Sequence, residues 1–211
     1  MRRKIIIMSL LTFVFCAFED SADLQKGMSY LEKKDYKNAE KYLKTAYENG
    51  DKDAPLQLGI LYYETKQKDL LEKYLKIGSD NGDALASYVL GNYYDDMKNN
   101  DLVEKYWKLA SEQGYKPANY ALALFYDAEK NDAKNAEKYA KKAHDSGDLS
   151  GTTLLGSLYE EKGDYKNAEK YLKIAADAGD VNAMYKIVDL YEKNKKFSQR
   201  DKYLKLIEES K

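Results

Sequence analysis

Asp35-Tyr36-Lys37-Asn38-Ala39-Glu40-Lys41-Tyr42-Leu43-Lys44 returns without a single change as residues 164–173 of this 211-residue chain. The tripeptide Glu-Lys-Tyr within it begins at positions 40, 72, 104, 137 and 169, and a variant, Asp-Lys-Tyr, begins at position 201. The interval is 32 residues, except for one interval of 33. A near-constant period of this length is typical of stacked helix pairs. The sequence therefore predicts an all-α fold, a right-handed α-α superhelix (solenoid) of six helix-pair repeats of about 32 residues.

The repeats can be placed along the chain from this period. We place them near residues 21–50, 51–82, 83–114, 115–147, 148–179 and 180–211, within one repeat domain of residues 19–211. Each repeat contains two stretches in which apolar residues recur at helical spacing, as Leu58, Leu61 and Tyr62 do in the first stretch of the second repeat. Each stretch is therefore expected to form an amphipathic helix.

Glycine and aspartate mark the expected helix boundaries. Glycine accepts the left-handed conformation that terminates a helix, and one ends each of the first five repeats, at Gly50, Gly82, Gly114, Gly147 and Gly179. Aspartate side chains accept hydrogen bonds from the free N–H groups at helix starts. We expect such caps on first helices from Asp51, Asp83, Asp148 and Asp180, and on second helices from Asp35, Asp132 and Asp164.

A second series of glycines falls inside the first helices, at Gly27, Gly59, Gly91 and Gly156. Glycine within a helix costs up to ~1 kcal/mol relative to alanine, so the close approach of another helix is expected to offset that cost. We expect small residues of the second helices to make this approach, at Ala46, Ala110, Ala143 and Ala175.

Two positions depart from the regular pattern. Val188 stands in the last repeat where most other repeats have the internal glycine, which predicts different packing there. The one inserted residue falls in the fourth repeat between Asp127 and Ala136. We place it in the turn between the two helices, because added loop length costs little free energy.

Charge and composition narrow the classes of function. The chain carries 35 Lys and Arg residues against 36 Asp and Glu residues, so its net charge does not impose a basic surface for nucleic acid. His144 is the only histidine and lies near the expected end of a second helix, where a structural role is favoured. The sequence contains no cluster of metal ligands, catalytic serine motif or phosphate loop. We therefore expect neither an enzyme nor a cofactor or metal site.

Residues 1–18 differ from the rest of the chain. Arg2, Arg3 and Lys4 give a positive start, and residues 5–18 form an uncharged, apolar run. This pattern is typical of a secretory signal peptide. The run is shorter than the ~20 residues that a membrane-spanning helix requires. We therefore expect export to a periplasmic or extracellular location, with an uncleaved membrane anchor as the alternative.

Cys16 is the only cysteine, and it lies at the end of the apolar run. A cysteine in that place suggests a lipoprotein, whose thiol carries the lipid. The bulky Phe15 before it departs from the small residue usual at such sites. Lipidation of Cys16 is therefore kept as an alternative to simple cleavage after Cys16 or Ala17.

The repeats resemble the tetratricopeptide repeat and its relative, the Sel1-like repeat. The resemblance rests on Leu58-Gly59 followed by Tyr62, and on Ala46 with Gly50 at the end of the repeat. The nine-residue distance from Gly50 to Gly59 is similar to the Sel1-like form, whereas the short turn inside each repeat is closer to the tetratricopeptide form. The resemblance covers nearly all of the chain after residue 20. It implies a scaffold whose first helices line a concave face that holds a protein or peptide partner.

The family's groove positions, carried onto this sequence, give candidate contact residues on the first helices. They are Leu56, Ile60, Tyr63, Tyr88, Asn92, Asp95, Tyr120, Leu124, Asp127, Ser157, Glu160, Asp189 and Glu192, and the series is completed by Leu24, Met28, Leu31, Thr153 and Tyr185. The series is apolar in the first two repeats and contains an acid in each of the last four. The resemblance thus implies a bound segment that combines an apolar anchor with Lys or Arg. Packing between neighbouring repeats is the alternative role for the apolar members.

The sequence as a whole favours an exported, non-catalytic scaffold that binds a protein or peptide partner. Two alternatives stay open, namely structural self-association in the envelope and regulation of a membrane-bound partner. For self-association the end repeats are the faces to consider, which are residues 21–31 and the last repeat with Val188. We expect no nucleic-acid partner, and contact with a membrane only if the N-terminus is uncleaved or lipidated at Cys16.

Overall fold

The computed structural model describes residues 21–209, which form twelve α-helices and, within this range, no strand. The helices are α1 (Ala22–Glu32), α2 (Tyr36–Glu48), α3 (Ala54–Glu64), α4 (Lys68–Asp80), α5 (Ala84–Asp96), α6 (Asn100–Glu112), α7 (Pro117–Ala128), α8 (Ala133–Asp145), α9 (Leu149–Glu161), α10 (Tyr165–Asp177), α11 (Val181–Lys193) and α12 (Phe197–Glu209). They alternate as the first and second helices of six repeats. The predicted signal peptide of residues 1–18, with Cys16, lies outside the described residues.

The helices group into two compact units. The first unit ends at Leu90 and the second begins at Gly91, so α5 contributes residues to both. In the first unit α1 packs on α2, α2 on α3, and α3 on α4. In the second unit each helix from α6 to α12 packs on the next helix along the chain. Each unit therefore has the sequential helix packing of the solenoid class, and the predicted all-α class of helix-pair repeats is confirmed.

Aspartate caps start the second helices as predicted. Asp164 accepts hydrogen bonds from the backbone N–H of Asn167 at 3.1 Å and from its side-chain amide at 2.6 Å. Asp35 and Asp132 make the same pair of bonds to the asparagine three residues later. These bonds favour the ionised form, and they lower the pKa of all three carboxyl groups.

Three of the four predicted caps on first helices are confirmed, at Asp83, Asp148 and Asp180. The prediction for Asp51 is wrong, because α3 begins only at Ala54. Pro55 lies in the first turn of α3, where its fixed backbone angle and missing N–H favour a helix start. Asp51 instead accepts a hydrogen bond from the backbone N–H of Ser21 at 3.3 Å, which ties the start of α1 to the second repeat.

Left-handed residues separate the helices. The five predicted glycines at the ends of second helices have φ between 86° and 96°. The turn inside each repeat also needs one left-handed residue, which is Gly163 in the fifth repeat and Lys34, Lys66, Lys98, Asn131 or Lys195 in the others. The turn between α7 and α8 has four residues where the others have three, so the inserted residue lies in the turn as predicted.

Each glycine inside a first helix makes room for a large residue of the second helix. A Cβ atom on Gly156 would lie 2.7 Å from Cγ of Leu172 and 3.0 Å from its backbone nitrogen, closer than such atoms approach. The pairs of this kind are Gly27–Leu43, Gly59–Leu75, Gly91–Trp107 and Gly156–Leu172. The predicted partners Ala46, Ala110, Ala143 and Ala175 are therefore wrong, because the helices cross three residues earlier.

The two remaining repeats fill this crossing differently. In the fourth repeat the equivalent residues are Ala123 and Ala140, both fully buried. In the last repeat they are Val188 and Leu204, and Leu204 is 40% exposed, whereas Leu172 is fully buried. The crossing thus combines glycine on one helix with a large residue on the other, or alanine on both. The combination of Val188 with Leu204 exceeds the available space, which explains the different packing predicted for this repeat.

The small residues of the second helices pack against the next repeat. A Cβ atom on Gly78 of α4 would lie 2.9 Å from Cβ of Ala86 in α5. Ala143 of α8 is in the same relation to Gly151 of α9, with the glycine now on the first helix. Small side chains at this position therefore let successive repeats approach closely.

Two tyrosines pack against each other in every repeat, with stacked rings in the first five repeats and rings tilted by 34° in the last. The pairs are Tyr30–Tyr42, Tyr62–Tyr74, Tyr94–Tyr106, Tyr126–Tyr139, Tyr159–Tyr171 and Tyr191–Tyr203, with ring centroids 5.5–6.1 Å apart. The second tyrosine of each pair belongs to the repeated tripeptide. The lysine before it lies over its ring, 4.8–5.7 Å from the centroid. Aromatic pairs contribute about 0.5–1.5 kcal/mol beyond their buried area, so the stack joins the two helices of a repeat.

The glutamate of the tripeptide joins its repeat to the next one. Glu40 accepts a hydrogen bond from the Tyr62 hydroxyl at 2.8 Å in the first unit. In the second unit Glu104 accepts from the Tyr126 hydroxyl at 2.7 Å, and Glu137 from that of Tyr159 at 2.8 Å. Each donor is the first tyrosine of the next repeat's stacked pair.

These junctions perturb the tyrosine hydroxyls. Burial first, and then the bond to Glu40, raises the pKa of Tyr62 to about 12. The bond to Glu137 first, and then burial, raises the pKa of Tyr159 to about 12. The pKa of the accepting glutamate shifts in the opposite direction. An ion pair with Lys162 lowers the pKa of Glu137.

The pairing of Gly156 with Leu172 predicts a non-additive response to substitution. Gly156→Ala should destabilise the protein by about 1–3 kcal/mol through overpacking, although alanine is the better helix former. Leu172→Ala should cost about 2–5 kcal/mol. The double variant should cost at least ~1 kcal/mol less than the sum, because the new methyl group occupies space that Leu172 vacates. Urea unfolding of the four proteins measures this, and strictly additive costs would contradict the assigned contact.

The raised tyrosine pKa values predict a loss of stability in alkali. Unfolded tyrosine has a pKa near ~10, so the contribution of Tyr159 is fully present below that pH. It is lost as the pH rises from about 10 toward the folded value of about 12. The urea midpoint should fall over this window. Tyr159→Phe should be less stable at neutral pH and show a shallower alkaline decline, and an unchanged decline would contradict the assignment.

Candidate partner-binding face of the first helices

The first unit buries some of the apolar residues predicted to contact a partner and leaves others partly exposed. Leu56 is only 7% exposed, and Leu24 and Leu31 are buried as well. Ile60 and Tyr88 are half-buried, and Tyr63 is 38% exposed. Packing between repeats, the alternative role, therefore applies to the three buried leucines. Ile60 and Tyr63 keep exposed apolar surface in the second repeat.

Asn92 begins the series in the second unit. Its side-chain oxygen accepts a hydrogen bond from the indole N–H of Trp107 at 3.0 Å. Trp107 takes the place that leucine has in other repeats, beside Gly91. Its bond to Asn92 was not predicted, because nothing in the repeat pattern indicates it. Asp95, one turn further along α5, is exposed. Asn92 thus orients the only tryptophan of the chain.

The groove positions of α7 and α9 differ in their exposure to solvent. Tyr120, Leu124 and Asp127 on α7 are all half-buried. Ser157 on α9 is buried, and its hydroxyl donates to the carbonyl oxygen of Thr153 at 3.1 Å. The Thr153 hydroxyl in turn donates to the Asp180 carboxylate at 2.8 Å, so this part of α9 holds the following repeat.

Glu160, the last predicted residue on α9, is joined to α11. Its carboxylate lies 2.8 Å from the Lys193 ammonium. This contact raises the pKa of Lys193. The side chain of Glu160 is only 20% exposed, whereas that of Lys193 is 66% exposed. An ion pair with an exposed partner contributes little to stability, so a bound partner can replace it at small cost.

The most open part of the series is one face of α11. Val181, Tyr185, Asp189 and Glu192 are spaced by four, four and three residues, which puts them on one side of a helix. Val181 is 39% and Tyr185 48% exposed, and Asp189 and Glu192 are exposed too. We call these four residues the α11 stripe. It changes from apolar to acidic along the helix.

Sequence reasoning included Asp189 and Glu192 but missed Val181. The sequence pattern carries no clear signal for it, because the equivalent residues are Lys52 and Lys116 in the second and fourth repeats but Ala84 and Leu149 in the third and fifth. Leu149 takes the same position in α9 and is 36% exposed.

His144 has a structural setting, as its position predicts. Its Nδ1 lies 2.9 Å from the Thr152 hydroxyl of the next repeat. The rings of His144 and Tyr171 form a T-shaped contact, with a centroid distance of 5.1 Å and an interplanar angle of 83°. Among the described residues no group of three or more His, Cys, Asp or Glu side chains could hold a metal ion. No helix within residues 21–209 combines the length and apolarity needed to cross a membrane.

Comparison with known proteins agrees with this architecture. Residues 24–49 and 153–177 match a family model described as tetratricopeptide repeat, and these segments contain the two identical decapeptides. No curated protein sequence matches the chain.

Three solved structures share the fold. A protective antigen of uropathogenic Escherichia coli strains, with a Sel1-like repeat fold, superimposes with a TM-score of 0.69 at 21% identity. The match covers 82% of this chain and 42% of the antigen, so the chain spans less than half of that protein's length. PilF of Pseudomonas aeruginosa gives a TM-score of 0.66 at 18% identity, covering 86% and 87% of the two chains. A Sel1 repeat protein from Oxalobacter formigenes gives 0.65 at 23% identity, covering 80% and 75%.

These likenesses concern the fold, which is typical of non-catalytic scaffolds for protein interaction. Two stretches of this chain thus match the tetratricopeptide repeat model, and its fold is similar to that of Sel1-like repeat proteins.

Proposed function

We propose that this protein is an exported, non-catalytic scaffold that binds a protein or peptide segment through the first helices of its later repeats. The α11 stripe is the observation that carries the proposal. The opposite side of α11 is committed to the core through Ile187, Leu190 and Tyr191, which are at most 3% exposed. Val181 and Tyr185 are thus exposed on the side of α11 that lies away from the core, next to two acids, of which Glu192 contacts Arg200 of α12 at 3.7 Å.

The chemistry of the stripe defines the segment that would bind. Val181 and Tyr185 offer apolar contact area, and an aromatic ring does so at a low cost in conformational entropy. Asp189 and Glu192 follow within the next two turns and favour a cation. An extended or helical segment with an aliphatic or aromatic residue next to Lys or Arg fits both. This is the class of segment expected from the sequence, but its apolar anchor lies in the last repeat instead of the first two.

Export is the second part of the proposal. It rests on the positive start and apolar run of residues 1–18. Intact mass measurement of the protein recovered from cells tests it. Loss of residues 1–16 or 1–17 supports cleavage, a lipid mass on Cys16 supports a lipoprotein, and an unmodified full chain in the cytoplasm contradicts export.

Self-association is the candidate from a different class, and the end repeats give a specific reason to consider it. Lys26 and Ser29 of α1 occupy positions that in α3 hold the buried Leu58 and Leu61. The face of α1 that corresponds to those leucines is therefore polar. The last repeat is different, because α12 exposes Phe197 and Leu204.

The α11 stripe predicts salt-dependent binding of basic peptides. The test uses synthetic peptides in which an aromatic or aliphatic residue neighbours two basic residues, and a matched set with glutamate in place of the basic residues. Asp189→Lys combined with Glu192→Lys should weaken binding of the basic set at least tenfold at low salt. The effect should shrink in high salt, because exposed charges are screened. Tyr185→Ala should weaken binding at every salt concentration.

The control changes the same charge elsewhere. Glu112 and Asp145 are exposed acids at the ends of the second helices α6 and α8, and their joint replacement by lysine should leave peptide binding unchanged. Equal losses in both double variants would indicate a non-specific charge effect. Equal binding of the basic and acidic peptide sets would overturn the proposed ligand class.

A further inference from the structure

We propose that two copies of this chain pair through α12, antiparallel and about a two-fold axis at Leu204. The inference deepens the self-association candidate and does not depend on the α11 stripe. The surface consists of Phe197, Arg200, Leu204 and Glu208, which follow one another at intervals of three or four residues and so share one side of the helix.

Leu204 is the residue that sets this surface apart. Its equivalents in the other five repeats are Leu43, Leu75, Trp107, Ala140 and Leu172. Four of these are fully buried and Trp107 is 7% exposed, whereas Leu204 is 40% exposed. Phe197, two turns earlier, is 51% exposed. Leu204 is thus exposed on a helix whose counterparts bury the equivalent residue, and Phe197 carries the Arg200 guanidinium over its ring, 5.0 Å from the ring centroid.

Val188 accounts for part of the exposure of Leu204. It replaces the glycine that makes room for the equivalent leucine, and a Cβ at that place comes within 3 Å of the leucine side chain in other repeats. Val188 itself is 7% exposed and fills the crossing. Leu204 is therefore displaced toward the surface, where it is available to a second copy.

A head-to-tail stack of copies is disfavoured at both ends. A further first helix in the usual register would meet Ile207, because the equivalent residues in the other repeats are alanine or glycine. Where Gly78 meets Ala86, even one added methyl group would lie 2.9 Å from its neighbour. The first helix of a second copy would also bury the Lys26 ammonium, at a cost of several kcal/mol. A closed, two-fold pair avoids both problems.

The charges on α12 fit the antiparallel pair. Arg200 lies four residues before Leu204, and Glu208 lies four residues after it. A two-fold axis at Leu204 therefore brings Arg200 of each copy opposite Glu208 of the other. In the single chain Arg200 already contacts Asp201 at 2.7 Å and Glu192 at 3.7 Å, so its guanidinium is held near this surface. Both charge pairs would lie at the rim of a central leucine contact.

One pair of 13-residue helices makes a small interface. Stable complexes bury at least ~1,200 Å², and smaller contacts are weak and transient. We therefore expect a pair that forms at high local concentration, and a covalent probe is the suitable way to detect it.

Cysteine cross-linking in the full chain tests the geometry. In a Cys16→Ala background, Leu204→Cys should cross-link to itself with a short bis-maleimide, because the two-fold axis brings both copies of residue 204 together. Ile174→Cys is the matched control, since Ile174 is also 40% exposed but lies on α10. Leu204→Cys should give at least tenfold more homodimer than Ile174→Cys. Equal yields, or a product with a different protein, would overturn the self-pairing.

A charge exchange tests the antiparallel register. Arg200→Glu in the Leu204→Cys chain should lower the yield several-fold, and adding Glu208→Arg should restore it, because the pair then forms with reversed signs. Loss without restoration would contradict the register. Circular dichroism of each variant shows whether it is folded. Peptide binding measured on the Leu204→Cys chain, which keeps the Arg200–Glu192 contact, separates a failure here from a failure of the α11 site.

Discussion

A hydrogen bond between a tyrosine hydroxyl and the glutamate of the preceding repeat is the interaction on which this structure depends. A single helix pair cannot bury its own apolar faces, so it is stable only when a neighbour covers them. The bond recurs at Glu40–Tyr62, Glu104–Tyr126 and Glu137–Tyr159, with lengths of 2.7–2.8 Å. Because the donor tyrosine also stacks on the second helix of its own repeat, one side chain links the packing within a repeat to the packing between repeats.

The repeated tripeptide is explained residue by residue. In Glu137-Lys138-Tyr139 the glutamate binds the next repeat, the lysine lies 5.0 Å from the centre of the Tyr139 ring, and the tyrosine stacks on Tyr126. In the last repeat aspartate takes the place of glutamate, and Asp201 pairs with the adjacent Arg200 instead. The residues that join the helices are therefore similar in most repeats. The repeats differ mainly at exposed positions, such as those of the α11 stripe.

The sequence alone predicts the fold class, the helix pairs and most caps, because each rests on local chemistry or on the period. It does not predict which residues meet across the helix crossing. Periodicity tells which side of a helix is apolar, but the residue opposite Gly156 depends on how the two helices are offset, and that residue is Leu172, not Ala175. The contact face is predicted only in part for a similar reason. Leu56 and Ser157 occupy the same face as Asp189, yet their neighbours in adjoining repeats cover them.

The most direct test of the account is a double-mutant cycle between Tyr159 and Glu137, read by urea unfolding of the wild type, Tyr159→Phe, Glu137→Ala and the double variant. A hydrogen bond to a charged group contributes about 1.5–3 kcal/mol. The account predicts that the two single costs exceed the cost of the double variant by at least ~1 kcal/mol. Additivity within ~0.3 kcal/mol would show that the two residues act independently, and it would contradict the claim that this bond joins successive repeats.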